Sequence, residues 1–211
     1  MKNSLLRCIG LGVAVAALGA APAEAAKTTA AATTATTSVQ TSSCAAAALS
    51  QPFLSWGDSH WYALAPGEAP DNFAGVGWTL SGGAKIVATT LQDGTAGSVL
   101  DLPRGSQATS PAICLTSDYP TARMMIRNVS GSSGGSVGFS VSYAGSSTAN
   151  DPLQTGTFKI TGSDNGWNLS DPANLDPSTT PGWQPMQITL TANGPKEFQV
   201  YNLYNDPMMR S

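Results

Sequence analysis

The sequence predicts an all-β protein, an antiparallel β-sandwich or jelly roll, and three observations support this fold class. Large and small side chains alternate over residues 136–144, a period of two that gives a strand one buried face. About ten short runs of this kind follow one another, with turn residues roughly every ten positions. No segment longer than a turn shows a helical period. A closed up-and-down barrel is the competing architecture, and connections of uneven length favour two sheets joined by Greek-key links.

The N-terminal part of the chain precedes the predicted domain. Residues 1–26 combine a basic start, an apolar run and small residues, which is typical of a secretory signal peptide. Residues 27–43 are rich in Thr, Ala and Ser and predict a disordered tether. The predicted sandwich covers residues 44–207, and residues 208–211 form a C-terminal tail. We expect a secreted, extracellular protein with no transmembrane segment, because the apolar run is too short to span a bilayer.

Charge and cysteine content narrow the functional classes. The formal net charge of the 211 residues is −3, which predicts no nucleic-acid partner. Cys44 and Cys114 both follow the predicted signal peptide, and an even pair in an exported protein predicts a disulfide. Two cysteines and a single histidine at these spacings cannot form a zinc site. We therefore expect neither a bound metal nor a cofactor.

The first half of the predicted domain contains short strands. Residues 50–68 carry several large apolar side chains around a Gly-Asp-Ser turn, which predicts two short strands joined by a loop. Further β-type runs follow, with Gly-Gly, Asp-Gly, Arg-Gly and Ser-Pro pairs between them. These runs lie at residues 76–80, 84–91, 99–103 and 112–116.

The strongest strand signal lies in the middle of the chain. Residues 121–129 and 136–144 both alternate in period two across a Ser/Gly-rich connection, which predicts a β-hairpin or two neighbouring strands. The alternation places Arg123, Met125 and Arg127 on the outward face of the first strand.

The C-terminal part predicts a further strand and a closing hairpin. Residues 156–161 form the strand, whereas the prolines of residues 171–182 exclude that segment from a sheet interior. Residues 183–192 and 196–206 then predict the hairpin, turned at Asn-Gly-Pro. Its last strand carries a bulge, because the apolar phase shifts between residues 200 and 201.

Four stretches of the chain resemble a family of uncharacterised secreted bacterial proteins of actinobacterial type. They are SQPFLSWGDSHWYALAPGE, WTLSGGAKIV, SPAICLTSDYPTARMMIRNVSG and FQVYNLYNDP. The resemblance implies export and a β-sandwich over residues 44–207, and it implies no activity. The closing strands are also similar to those of galactose-binding-like jelly rolls, some of which hold a structural calcium. Asn205 and Asp206 are the corresponding positions, but they lack an acidic cluster, so we assign no metal.

The sequence contains no recognisable catalytic set. Residues 134–138 match the G-x-S-x-G pattern, but a Ser/Gly loop leads into a strand there, whereas a nucleophile elbow joins a strand to a helix. Asp58, Ser59 and His60 are adjacent in a turn, where neighbouring residues cannot adopt the geometry of a triad. We therefore expect a protein without enzymatic activity, with an uncharacterised hydrolase as an alternative.

Aromatic residues make the better case for a function. Exposed indoles stack on the apolar faces of sugar rings, while polar groups bind the hydroxyls. For any single tryptophan, the alternative is that it closes one end of the core. We expect a non-catalytic binding module for carbohydrate or a cell-envelope glycan; a structural or interaction protein of the cell surface or a secreted assembly is the alternative. The candidate ligand-binding residues are Trp56, His60, Trp61, Trp167, Arg123 and Arg127.

Overall fold

The computed structural model describes residues 47–115, 121–130, 135–145, 152–160, 166–175 and 184–206. The predicted signal peptide, tether and C-terminal tail lie outside the described residues and stay predictions, as does the predicted pairing of Cys44 with Cys114. Cys114 itself is disulfide-bonded. In the described ranges, no helix is long and apolar enough to cross a membrane.

Short antiparallel strands make up the fold, which confirms the prediction of an all-β sandwich of jelly-roll type. The described ranges hold fourteen strands and a single turn of 3-10 helix, at Leu54–Trp56. The strands form one sheet of eight and another of six. The strands are β1 (Leu49–Ser50), β2 (Tyr62–Leu64), β3 (Thr79–Ser81), β4 (Lys85–Thr90), β5 (Ala96–Leu102), β6 (Gln107–Thr109), β7 (Ile113–Leu115), β8 (Thr121–Asn128), β9 (Ser136–Tyr143), β10 (Gln154–Lys159), β11 (Asn168–Leu169), β12 (Ala173–Asn174), β13 (Gln184–Thr191) and β14 (Phe198–Asp206).

The closing strand β14 organises the eight-stranded sheet. One of its edges pairs with β8, from Phe198 opposite Asn128 to Asp206 opposite Thr121. The other edge pairs with β5 through its first three residues and then with β2 through Tyr204 and the residue after it. Strand β14 therefore lies between β8 on one side and β5 and β2 on the other, and it connects β2 to the middle of the sheet.

The bulge predicted in β14 is confirmed, slightly further along the strand than expected. The register against β8 shifts between Tyr201 and Tyr204. Asn202 lies within the shift and has a φ of 53°. The Asp71 amide donates to Asn202 Oδ1 at 2.8 Å, and Asn202 Nδ2 donates to Asp71 Oδ1 at 2.7 Å. The bulge separates the part of β14 that pairs with β5 from the part that pairs with β2.

Strand β13 organises the six-stranded sheet as β14 organises the eight-stranded one. One edge of β13 pairs with β9, and the other pairs with β7 near its start and with β6 near its end. Ser110 lies between β6 and β7 and continues the ladder. Its amide donates to the Ile188 carbonyl at 2.9 Å, and the Ile188 amide donates to Ser110 Oγ at 3.0 Å.

Both predicted hairpins are wrong. Strands β8 and β9 follow each other in the chain but lie in different sheets, and the same is true of β13 and β14. The strands themselves lie where the alternation predicts them. A period of two identifies the buried face of a strand, but it does not specify which neighbour bonds to the strand's backbone edges. Neither β6 nor β12 is predicted from the sequence, and β12 pairs with β8 inside the segment predicted to be irregular.

Both sheets contribute to a single hydrophobic core. Met124 and Ile126 of β8 are fully buried, as are Val137 and Val141 of β9 and Ile188 of β13. Because successive strands change sheets several times, side chains distant in sequence meet in this core.

Candidate functional site

The loop between β1 and β2 exposes several large apolar side chains. Leu54 is 58% exposed, Trp56 40% and Trp61 51%. Among the described residues, these two tryptophans are the exposed ones, since Trp78 and Trp167 are buried. We refer to Leu54–Trp61 as the aromatic loop.

Buried aromatic rings hold both ends of the aromatic loop. Phe53, just before it, and Tyr62, just after it, are each 1% exposed. The Phe53 ring makes edge contacts with the rings of Tyr62 and Tyr204, at centroid distances of 5.2 and 5.4 Å. Gly57 reverses the chain at a φ of 79°, a left-handed conformation that favours glycine. The exposed rings are therefore attached to the core on both sides.

A buried carboxylate fixes the middle of the loop. Asp58 is 8% exposed and accepts hydrogen bonds from the Tyr62 hydroxyl at 2.7 Å and from the His60 amide at 3.1 Å. Arg123 of β8 donates to it from Nη1 at 2.5 Å, and His60 Nδ1 lies 2.7 Å from Oδ1. Asp58 therefore ties the loop to β2 and to the centre of the eight-stranded sheet.

The partners of Asp58 keep it ionised. Burial alone would raise the pKa of Asp58, but hydrogen bonds from Tyr62, the His60 amide, Arg123 and the His60 ring outweigh burial and lower the pKa to about 2. For Tyr62, burial and the bond to Asp58 both raise the pKa of the phenol, so its hydroxyl stays a donor. Arg123 also donates from Nε to the Ser170 carbonyl at 2.9 Å. The positive charge of the Arg123 guanidinium compensates the negative charge of the Asp58 carboxylate.

The structure brings three of the predicted ligand-binding residues together. Trp56, His60 and Trp61 all belong to the aromatic loop, and the His60 side chain is 53% exposed. Arg123 reaches the same loop, but its side chain is only 15% exposed and serves as the counter-ion of Asp58. The prediction of an outward solvated face on β8 therefore needs correction, because Met125 between the two arginines is also buried.

Trp167 and Arg127 form a separate, internal cluster. Trp167 is 7% exposed, and its Nε1 donates to the Thr90 carbonyl at 2.9 Å. The Arg127 guanidinium lies 4.4 Å from the Trp167 ring centroid, and the Tyr201 ring meets the same indole edge-on at 4.7 Å. The exposed indole expected at Trp167 is therefore absent, because other side chains cover the ring.

Arg127 also ends a row of polar side chains that crosses four strands of the sheet. Lys85, Asp101, Gln199 and Arg127 are successive register partners on β4, β5, β14 and β8. Arg127 donates to Gln199 Oε1 at 2.6 and 3.0 Å, and Gln199 donates to Asp101 at 3.0 Å. Burial lowers the pKa of Arg127. Its hydrogen bonds are thus made within the sheet.

An open groove of about 330 Å³ lies at the edge of the six-stranded sheet, next to β10. Polar side chains of β10 and of residues 171–174 line it. The Phe139 ring fills the space above Gly156, where a side chain would overlap the ring. None of the predicted site residues lies there. Over the described ranges, no group of three or more His, Cys, Asp or Glu residues could hold a metal ion.

The Asp58–Arg123 pair is the main feature that the sequence did not predict. Turn propensity alone explains an aspartate after Gly57, so the sequence did not point to an ion pair. Arg123 also lies 65 positions from Asp58 in the chain. The available signal was an acidic residue inside a strongly aromatic loop, which is typical of a carboxylate held by neighbouring donors.

No protein-family model and no curated protein sequence matches the chain. The resemblance to secreted actinobacterial proteins therefore stays a prediction. Several solved structures resemble the chain in fold. The crystal structure of the Agl-KA catalytic domain shares 13% identity over 71% of this chain and 28% of its own, with a TM-score of 0.42.

Two smaller structures cover a larger share of their own length. A xylan-binding domain from CBM 22 shares 15% identity over 66% of this chain and 95% of its own, with a TM-score of 0.43. CsCBM6-3 from Clostridium stercorarium, in complex with cellobiose, shares 18% identity over 62% of this chain and 87% of its own, with a TM-score of 0.39. At these values the likeness is one of general architecture.

Proposed function

We propose that this protein is a non-catalytic binding module that holds a glycan on the aromatic loop. The observation that carries the proposal is the exposure of Trp56 and Trp61 on a loop that a buried carboxylate fixes to the sheet. Indole rings offer flat apolar surfaces to sugar rings. A loop that is already ordered loses little conformational entropy when the ligand binds, which favours affinity.

The electrostatics of Asp58 support binding over hydrolysis. A general acid or base works best when its pKa is near the working pH. The pKa of Asp58 is about 2, and both of its oxygens already accept hydrogen bonds. Its chemistry is that of a structural anchor for the aromatic loop.

Affinity electrophoresis tests the proposal with four soluble polysaccharides: hydroxyethylcellulose, galactomannan, arabinoxylan and polygalacturonate. We expect at least one to retard the protein, and Trp61→Ala or Trp56→Ala to weaken that binding by about tenfold or more. Val76→Ala, which truncates another exposed apolar residue outside the loop, is the control and should bind as wild type. Wild type that migrates unretarded in all four gels, or tryptophan variants that bind normally, would refute the proposal.

A protein interface is the second candidate function, and Leu54 is the observation that favours it. This aliphatic side chain is 58% exposed beside two tryptophans, and contiguous exposed apolar residues are typical of protein contact sites. If the aromatic loop joins two copies of the chain, light scattering should show a dimer. Leu54→Ser should then dissociate it, whereas a monomeric wild type would exclude self-association.

A further inference from the structure

We infer that His60 is the polar ligand contact of the aromatic loop: its Nε2 accepts a hydrogen bond from a hydroxyl of a neutral sugar. This inference rests on the proposed function and names the ligand class and the atom that recognises it. It follows from three features of the loop, namely the tautomer of His60, its exposure and the local charge balance.

The first feature is the tautomer. His60 Nδ1 lies 2.7 Å from Asp58 Oδ1. Asp58 receives donors from Arg123, Tyr62 and the His60 amide, so it is a carboxylate, which can only accept. Nδ1 must therefore carry the proton in this pair. In a neutral imidazole the other nitrogen then has a free lone pair, so Nε2 is an acceptor.

The second feature is the difference in exposure across the pair. The Asp58 side chain is 7% exposed, whereas the His60 side chain is 53% exposed. The donor nitrogen thus bonds to a buried partner, and within the described residues Nε2 has no partner. Trp61 follows His60 directly and is 51% exposed. An acceptor and an apolar surface are therefore adjacent, as a sugar ring with both hydroxyls and an apolar face requires.

The third feature is the charge balance. Within the described residues, the charged or titratable side chains of this loop segment and its hydrogen-bond partners are Asp58, His60, Tyr62 and Arg123, and the Asp206 carboxylate also acts electrostatically on Tyr62. The Asp58 carboxylate and the Arg123 guanidinium compensate each other, Tyr62 keeps its proton, and Asp206 adds negative charge nearby. The loop therefore offers no net positive charge for an anionic glycan to pair with. The expected ligand is a neutral polysaccharide, whose binding should depend little on salt.

The tautomer can be measured without a ligand. His60 is the only histidine of the chain, so a nitrogen-15 spectrum of the labelled protein contains a single imidazole. At about pH 8 we expect a protonated Nδ1 and an unprotonated Nε2. Asp58→Asn removes the obligatory acceptor and should shift the population toward the Nε2-protonated form. A wild-type ring protonated on Nε2 would overturn the inference.

Two substitutions of His60 separate recognition from loop structure. The amide of His60→Asn can donate to Asp58 as Nδ1 does but has no atom at the Nε2 position, whereas His60→Gln places its amide near that position. With hydroxyethylcellulose and galactomannan as probes, we expect His60→Asn to bind about three- to tenfold more weakly and His60→Gln to recover part of the loss. The thermal unfolding midpoint of His60→Asn should match wild type.

The outcomes distinguish this inference from the proposed function. Binding that requires Trp61 but is unchanged in His60→Asn overturns the inference and leaves the proposed function standing. Binding to polygalacturonate alone overturns the neutral ligand class. A wild type that binds none of the four polysaccharides overturns the proposed function and the inference together.

Discussion

At the scale of single residues, Asp58 determines the conformation of the aromatic loop. Its carboxylate is one of the few buried charges of the described chain, and its partners come from the loop itself, from β2 and from β8. A buried charge is tolerated only when it is paired and hydrogen-bonded. The same pairing that holds Asp58 therefore holds Trp56 and Trp61 in place.

Removal of the counter-ion should destabilise the protein. Arg123→Met keeps much of the side-chain volume but leaves Asp58 buried without its opposite charge, which costs roughly 3 kcal/mol in comparable pairs. Urea unfolding should show this loss, and the double variant Asp58→Asn/Arg123→Met should recover part of it. Asp58→Asn alone completes the cycle, and a double variant whose loss equals the sum of the two single losses would show that the two charges are not coupled.

The partly buried carboxylate of Glu68 should make stability depend on pH. Glu68 Oε2 accepts the Leu203 amide at 3.2 Å, while Oε1 is buried and has no hydrogen-bond partner in the described part of the chain. Burial raises the pKa of Glu68 from 4.5 to about 8, only partly offset by backbone hydrogen bonds from Leu203 and Asn202. The folded state thus binds a proton that the unfolded state releases.

The sign of this effect follows from linkage. Stabilisation by the protonated form is complete below pH 4.5 and is lost as the pH rises to about 8, at up to roughly 1.4 kcal/mol per pH unit. Glu68→Gln should remove that slope, so the variant gains stability relative to wild type toward pH 8. Urea unfolding of wild type and Glu68→Gln at several pH values measures this difference. Parallel plots of unfolding free energy against pH would contradict the raised pKa of Glu68.

At the scale of elements, β14 shows why the alternation of a strand can break down. Eight of its nine residues are buried, so both faces of the strand are covered along most of its length. A strand covered on both faces has no polar face to alternate with the apolar one. The bulge near Asn202 adds to this effect, because it shifts the register and turns the later side chains.

Asn202 should therefore be sensitive to substitution. Asn202→Ala loses both hydrogen bonds to Asp71 and places an ordinary side chain at a φ of 53°, and we expect a loss of about 2–3 kcal/mol. Asn202→Gly is the matched control, since it loses the hydrogen bonds but tolerates the backbone conformation. Thermal unfolding should rank glycine above alanine at this position. The reverse order would show that the conformation imposes no strain.

At the scale of the whole molecule, the two sheets are joined by many crossings of the chain. The chain passes from one sheet to the other several times, so that β8 and β9, or β13 and β14, lie in different sheets and contribute side chains to the same core. In this topology the N-terminal loop packs against the C-terminal strand. Phe53 and Tyr204 meet although 150 residues lie between them in the chain.

The predicted disulfide would affect the stability of the whole molecule. Cys114 is disulfide-bonded, and we predict Cys44 as its partner, which would fasten the start of the domain to β7. Closing a loop of this length stabilises a protein by roughly 4 kcal/mol in the chain-entropy model. Mass spectrometry of the purified protein after alkylation without reductant should find both cysteines unmodified. A labelled Cys44 would contradict the pairing.

The fold class, the positions of most strands and the bulge of β14 can be predicted from the sequence, because these depend on local alternation and turn residues. It also identified Trp56, His60 and Trp61 as candidates because they lie in or beside a turn, and it left open whether their side chains are exposed. Three features become visible only in the three-dimensional arrangement: Trp167 is covered, Arg123 neutralises Asp58, and the strands of each predicted hairpin lie in different sheets. These features depend on contacts between residues far apart in the chain, and a periodic pattern carries no information about which strands and side chains become neighbours.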